Sequence, residues 1–84
     1  MTKRTVTIEL DSGLEARPIA MLVQLASSFE SQIYVHSDSR KVNAKSIMGM
    51  MTLELPAGER VIVSADGSDE EKAIDDIEKY LSNK

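Results

Sequence analysis

The period of the hydrophobic repeat changes several times along this chain, and that restricts what it can fold into. Val6, Ile8 and Leu10 alternate with Thr5, Thr7 and Glu9, which gives one apolar face and one polar face, the pattern of a half-buried strand. Asp11-Ser12-Gly13 reads as the turn that ends it. Ile19, Leu22, Val23, Ala26 and Phe29 then recur at helical spacing and share one face at about 100° per residue. Pro18 suits the first turn of that helix, where a proline forfeits no intrahelical hydrogen bond. Strand character returns in Ile33-Tyr34-Val35-His36 and Arg40-Lys41-Val42-Asn43. The spacing predicts a hairpin turning at Ser37-Asp38-Ser39. A short helix is predicted from Ser46 to about Leu53, broken by Leu55-Pro56-Ala57-Gly58. Val61, Val63 and Ala65 alternate with Ile62 and Ser64 as a fourth strand, followed by a turn at Asp66-Gly67. Ala73, Ile74, Ile77, Tyr80 and Leu81 form the stripe of a last helix. Its start reads as a capping box of Ser68 with Glu71, and Lys79 and Lys84 near its end suit the helix dipole.

The resulting order is β-α-β-β-α-β-α. In 84 residues it predicts one domain, residues 1–84, of the α+β class, with an antiparallel sheet covered on one face by helices. Each strand is amphipathic, which fits a sheet with its other face in water.

Composition excludes several functions. The formal net charge of -4 disfavours sequence-independent nucleic-acid binding, which relies on dense Lys and Arg. Aromatic residues make up 4% and leave little for bases to stack on. The absence of Cys rules out a disulfide framework and a thiolate metal site, and fits a reducing compartment. No apolar run approaches the ~18–20 residues of a membrane span. Met1-Thr2-Lys3-Arg4-Thr5 leads directly into the first strand with no apolar signal region, so a cytoplasmic location is expected. Nor is an enzyme expected. No glycine-rich phosphate loop occurs. His36, the only histidine, falls at a strand end with no carboxylate or second His at ligand spacing, and reads as a surface residue. The carboxylates cluster in loops and at the last helix's start, as solvated groups and dipole partners do. No metal or cofactor is expected.

Two helix starts favour anions, because unpaired N–H groups and the macrodipole meet there. One is Ser12 to Pro18, the other Lys45-Ser46-Ile47. Ser46 is a favoured N-cap residue, and a phosphate on it would be tolerated or favoured by the dipole. It therefore has two readings, a plain cap and a modification site. Met48, Met50 and Met51 follow it, three of the chain's five methionines. A core helix does not require them, whereas a surface that receives a partner uses such side chains. Met21 points away from the first helix's apolar face, toward Gln24. It is either a scattered surface apolar residue or part of a contact patch.

Gly13-Leu14-Glu15-Ala16-Arg17-Pro18 resembles the active-site motif of the HPr family, the histidine-containing phosphocarriers of the bacterial sugar phosphotransferase system. Lys45-Ser46-Ile47-Met48-Gly49, preceded by Val42-Asn43, resembles the family's second motif. Length, motif spacing and element order agree over essentially the whole chain. The resemblance implies the HPr-like open-faced β-sandwich, a four-stranded antiparallel sheet with three helices on one face. One position departs from the pattern. Glu15 stands where the phosphocarriers place the phosphorylated histidine, and a carboxylate cannot form that phosphohistidine. Arg17, which in the family helps hold the phosphate, is retained.

The family's Crh-type branch keeps the serine motif and lacks the histidine, usually with Gln in its place. Similarity to that branch implies a regulatory phosphoprotein of carbon catabolite repression. Ser46 would be phosphorylated by HPr kinase/phosphorylase. The phosphoserine form would bind catabolite control protein A, a LacI-type repressor, as corepressor, with no direct nucleic-acid contact, no membrane and no cofactor. The partner-binding residues expected around Ser46 are Arg17, Met21, Gln24, Lys45, Ile47, Met48 and Met51, provided that the first two helices lie side by side. Glu15 has three readings: a dipole partner paired with Arg17, a determinant of partner choice, or an imitation of phosphohistidine in an otherwise ordinary HPr. The alternative function is accordingly an HPr-type phosphocarrier of the sugar phosphotransferase system, natural or engineered. Either a monomer or a homodimer fits the sequence.

Overall fold

A computed structural model describes residues 1–38 and 40–83. Its elements are β1 (Thr2–Thr7), α1 (Ala16–Ser27), β2 (Gln32–Ser37), β3 (Arg40–Asn43), α2 (Ile47–Met51), β4 (Arg60–Asp66) and α3 (Glu70–Leu81). The strands form one antiparallel sheet in the order β1-β4-β2-β3. The α+β open-faced sandwich expected from the sequence is the observed architecture.

Alternation decides which side of the sheet is covered. Val6, Ile33, Val35, Val61, Val63 and Ala65 are buried and face the helices. Lys3, Thr5, Tyr34, His36, Lys41 and Ile62 lie on the other face, in register across the strands. α3 lies across β1 and β4, α2 against β3, and α1 beside both α2 and α3. Ile8, Leu22, Met50, Ile74, Ile77 and Leu81 are fully buried between the layers. Arg4 points to the helix side, where its guanidinium bonds Asp75 at 2.6 Å and Glu78 at 3.0 Å on α3.

Several boundaries differ from the sequence reading, each for a local reason. The β1 ladder stops at Thr7 although the apolar alternation continues through Ile8 and Leu10. Beyond Thr7 the backbone changes partners. Ile8 N–H donates to Glu59 O at 2.8 Å, and Glu9 N–H to Leu81 O at 2.8 Å. α2 ends at Met51 rather than near Leu53, and Glu54 adopts a left-handed φ of 47°. Phe29 is buried beyond the end of α1. Of the hairpin turn, Ser39 lies outside the described residues, as does Lys84; Ser37 belongs to β2.

The predicted capping box of Ser68 with Glu71 does not form. The N-cap of α3 is Asp69, and its carboxylate does not cap the helix. It accepts instead from the Ser31 hydroxyl, from Glu30 N–H at 2.9 Å and from Ser31 N–H at 3.0 Å. Two backbone donors in the α1–β2 loop thus win the carboxylate that a local cap would have used. These bonds, the Ser31 hydroxyl first, hold the Asp69 carboxyl below its ordinary range. One residue later, Glu70 turns back to accept from Gly67 N–H at 3.2 Å.

Candidate functional site

Ser46 is the N-cap of α2, as its residue type predicts. It has extended dihedrals, and its hydroxyl oxygen accepts from Gly49 N–H at 3.2 Å. The approach to this cap is fixed from both sides. Asn43 Oδ1 accepts from Lys45 N–H at 2.8 Å, and Ser46 N–H donates to Asn43 O at 3.0 Å. The α2 first turn carries no acidic residue, so nothing on the helix start opposes added negative charge there.

Lys45 does not extend freely into solvent. Its ammonium donates to Phe29 O at 2.7 Å and ties the cap to the segment that follows α1. In this conformation its charge serves the fold, while its backbone leads into the cap.

The five-residue helix divides its side chains sharply. Met50 is fully buried and anchors α2 in the core. Ile47, Met48 and Met51 point outward, 48%, 80% and 49% exposed. Because α1 lies beside α2, this patch continues onto α1, where Met21 is 54% exposed and Gln24 and Arg17 are also exposed. These side chains leave an apolar surface open to solvent.

Glu15 is the N-cap of α1 but makes no side-chain cap bond. Among the described residues no ion pair joins it to Arg17, so the expected pairing is not formed here. Its backbone is placed by the preceding turn. Gly13 has φ 75°, and a Cβ there would lie 2.5 Å from Leu55 O, so only glycine fits. Leu14 N–H donates to that same Leu55 carbonyl at 2.7 Å. The start of α1 is also held from the far side, where the Tyr80 hydroxyl donates to Pro18 O at 3.0 Å.

The first motif meets the end of α2. A depression of about 450 Å³ is bordered by Ser12, Glu15, Ile19, Met51, Glu54 and Pro56. Glu15 and Met51, separated in sequence, thus share one concavity. Ser12 belongs to the helix start that the sequence singled out, whereas sequence reasoning missed Glu54 on the rim. The only local signal was Leu55, which precedes a proline and is therefore biased to extended backbone; that conformation brings it to Leu14.

Among the described residues, no group of three or more His, Asp or Glu is placed to hold a metal ion, and no helix is long and apolar enough to cross a membrane. His36 is not simply a surface residue. It lies within β2, partly buried, and its Nε2 has no hydrogen-bond partner among the described residues.

The site thus joins a capped serine at the start of α2 to an exposed apolar patch. The family model for the PTS HPr component phosphorylation site matches residues 2–83, and the chain belongs to the HPr family. Proteins of this family are phosphocarriers or regulators rather than enzymes, and as a member this chain is not an enzyme. Within the family, the chain is 42% identical over 81 residues to the HPr-like protein Crh of Bacillus subtilis, covering 96% of this chain and 95% of that protein. It is also similar to the crystal structure of HPr-C-His from Thermoanaerobacter tengcongensis, with a TM-score of 0.89 at 47% identity, covering 100% of this chain and 98% of the other. The crystal structure of Bacillus subtilis Crh, described as a dimer with a swapped domain, gives a TM-score of 0.79 at 41% identity, covering 99% and 95%.

Proposed function

We propose that this chain is a regulatory phosphoprotein of carbon catabolite repression. Ser46 is the phosphorylated residue, HPr kinase/phosphorylase the modifying enzyme, and catabolite control protein A the partner of the phosphorylated form. Overall identity does not separate a Crh-like regulator from a phosphocarrier, since both kinds of relative lie at similar distance. The observation that carries the reading is local: Glu15 replaces the phosphocarrier histidine while Ser46 and its cap are intact.

The chemistry is consistent at each step. A phosphate on Ser46 would stand at a helix start, where the dipole and free N–H groups accept negative charge. Phosphorylation would therefore leave the fold in place and add two charges or slightly fewer at neutral pH beside Ile47, Met48 and Met51. Those side chains, with Met21, Gln24 and Arg17 on α1, make a surface in which adaptable apolar groups give contact area and the new charge gives selectivity. The protein works as a corepressor, in the cytoplasm, without touching DNA; its net charge of -4 fits that division of labour.

The test uses the purified kinase and repressor. Incubation with the kinase and ATP is expected to add one phosphate, at Ser46, and none to Ser46→Ala. Only the phosphorylated protein is expected to bind the repressor. Equal binding by the modified and unmodified forms would sink the reading. The phosphocarrier alternative is separated by Enzyme I and labelled phosphoenolpyruvate, because transfer of label to this chain would establish a carrier role despite Glu15.

A further inference from the structure

The sheet face that no helix covers carries positive charge on a protein whose net charge is -4. Across one row of the sheet, Thr5, Ile62, His36 and Lys41 stand side by side; in the next row stand Lys3, Ser64, Tyr34 and Asn43. Between the rows lies a hollow of about 210 Å³, bordered by Lys3, Gln32, Tyr34, His36, Lys41 and Ser64. At ~30 Å³ of liquid volume per water, it has room for a tetrahedral anion and several waters.

Three observations meet at this hollow. Among the described residues, neither Lys3 nor Lys41 pairs with a carboxylate; Lys41 Nζ stands over the Tyr34 ring, 4.5 Å from its centroid. The one carboxylate at the rim, Asp66, lies 3.9 Å from the N-terminal ammonium. His36 Nε2 is shut off from solvent with no hydrogen-bond partner among the described residues, a state that native structures seldom leave unexplained. Burial, and then the charges of Lys41 and Lys3, hold the imidazole below its ordinary proton affinity. On its other side the ring borders a second hollow that includes Arg60 and Asp38, so Arg60 is a further cation and Asp38 a second carboxylate near the ring. Unpaired cations around a polar atom lacking a partner are what an oxyanion would relieve.

We propose that the hollow between Lys3, His36 and Lys41 binds a small oxyanion of the phosphate type. The two ammonium groups neutralise its charge. His36, with its proton on Nε2, donates the directional hydrogen bond. Entry requires Lys41 to leave the Tyr34 ring, a contact that is weak at an exposed site, and the His36 ring to turn so that Nε2, closed to solvent here, opens to the hollow. The site is separate from Ser46: it lies on the opposite face of the sheet from the helices.

The experiment is a titration of the ¹⁵N-labelled protein with inorganic phosphate, at an ionic strength held constant with chloride. Saturable shifts are expected at the amides of Tyr34, His36 and Ser64, and a rise of at least threefold in the proton affinity of the His36 ring. Lys3→Gln and Lys41→Gln are each expected to weaken the phosphate response at least threefold, while Lys79→Gln on α3 leaves it unchanged. All three positions are exposed, and amide dispersion confirms folding of each variant. Shifts that fail to saturate, that map to the α2 start instead, or that persist in the Lys3→Gln/Lys41→Gln double variant overturn the proposal. So does a Glu-rich peptide that binds this face while phosphate does not, since the surface would then be one for an acidic protein.

Discussion

Ser46 joins two roles in one oxygen, the cap of α2 and the proposed acceptor of phosphate, and substitutions can separate them. Ser46→Ala removes the acceptor from Gly49 N–H and is expected to lower stability by about 1 kcal/mol. Ser46→Asp keeps a capping oxygen, so its stability in urea unfolding should stay near that of the parent. A loss as large as that of the alanine variant would show that the Gly49 bond is not the source of the effect. Gly13 is a stricter case. Its φ of 75° and the approach of Leu55 O predict that Gly13→Ala costs about 1–3 kcal/mol and shifts Glu15 with the turn. The same unfolding measurement checks it, and an unchanged midpoint would contradict it. At this scale the sequence was informative where the chemistry is local. A serine before a short apolar run is a cap by residue type alone. The reading also placed Met48 and Met51 on the outward patch and left Met50 out of it, and their exposures agree, although α2 is too short for a helical period alone to declare its buried side.

The elements were legible wherever an apolar repeat ran long enough, and their ends were not. α1 and α3 showed full stripes. α2 and the junction before α3 depended on which polar group wins a contested donor. Asp69 illustrates this. Its carboxylate joins α3 to the loop between α1 and β2 through Glu30 and Ser31, partners too distant in sequence for a capping rule to anticipate. The contact should make stability depend on pH. The folded-state proton affinities of Asp69 and Glu70 are both lowered, Asp69 chiefly by the Ser31 hydroxyl and Glu70 chiefly by the Thr2 hydroxyl. Between the folded and the ordinary carboxylate values the unfolded chain therefore binds more protons, so this stabilisation is present above the ordinary carboxylate range and is lost as pH falls through the folded values. Melting temperatures of the parent and of Asp69→Asn should differ near neutral pH and converge in acid. A gap that stays constant down to pH about 3, below the ordinary carboxylate values, would mean that ionised Asp69 contributes nothing special.

For the whole molecule, the layered architecture was the most readable feature. Alternation in the strands marks one face of the sheet for burial, and helices with single apolar stripes can only cover it. Which exposed residues come together was not readable. The concavity shared by Glu15 and Met51 exists because Leu14 and Leu55 meet, and no periodicity encodes that meeting. The core formed by this arrangement is continuous, so damage to it should be global. Ile74→Ala, in the fully buried face of α3, is expected to cost about 2–5 kcal/mol, read as one cooperative loss in both far-UV and near-UV signals. Separate transitions would contradict a shared core. The strand order also has a consequence for how the molecule comes into being. Among the described strands β1 pairs with β4 alone, and its partners run from Thr7↔Arg60 to Thr2↔Ala65, separations of 60 − 7 = 53 and 65 − 2 = 63 residues. The β2–β3 hairpin can close as soon as it leaves the ribosome, but β1 must wait, edge unsatisfied, until β4 has also emerged. The speed of translation thus sets how long that strand remains open to a neighbouring nascent chain.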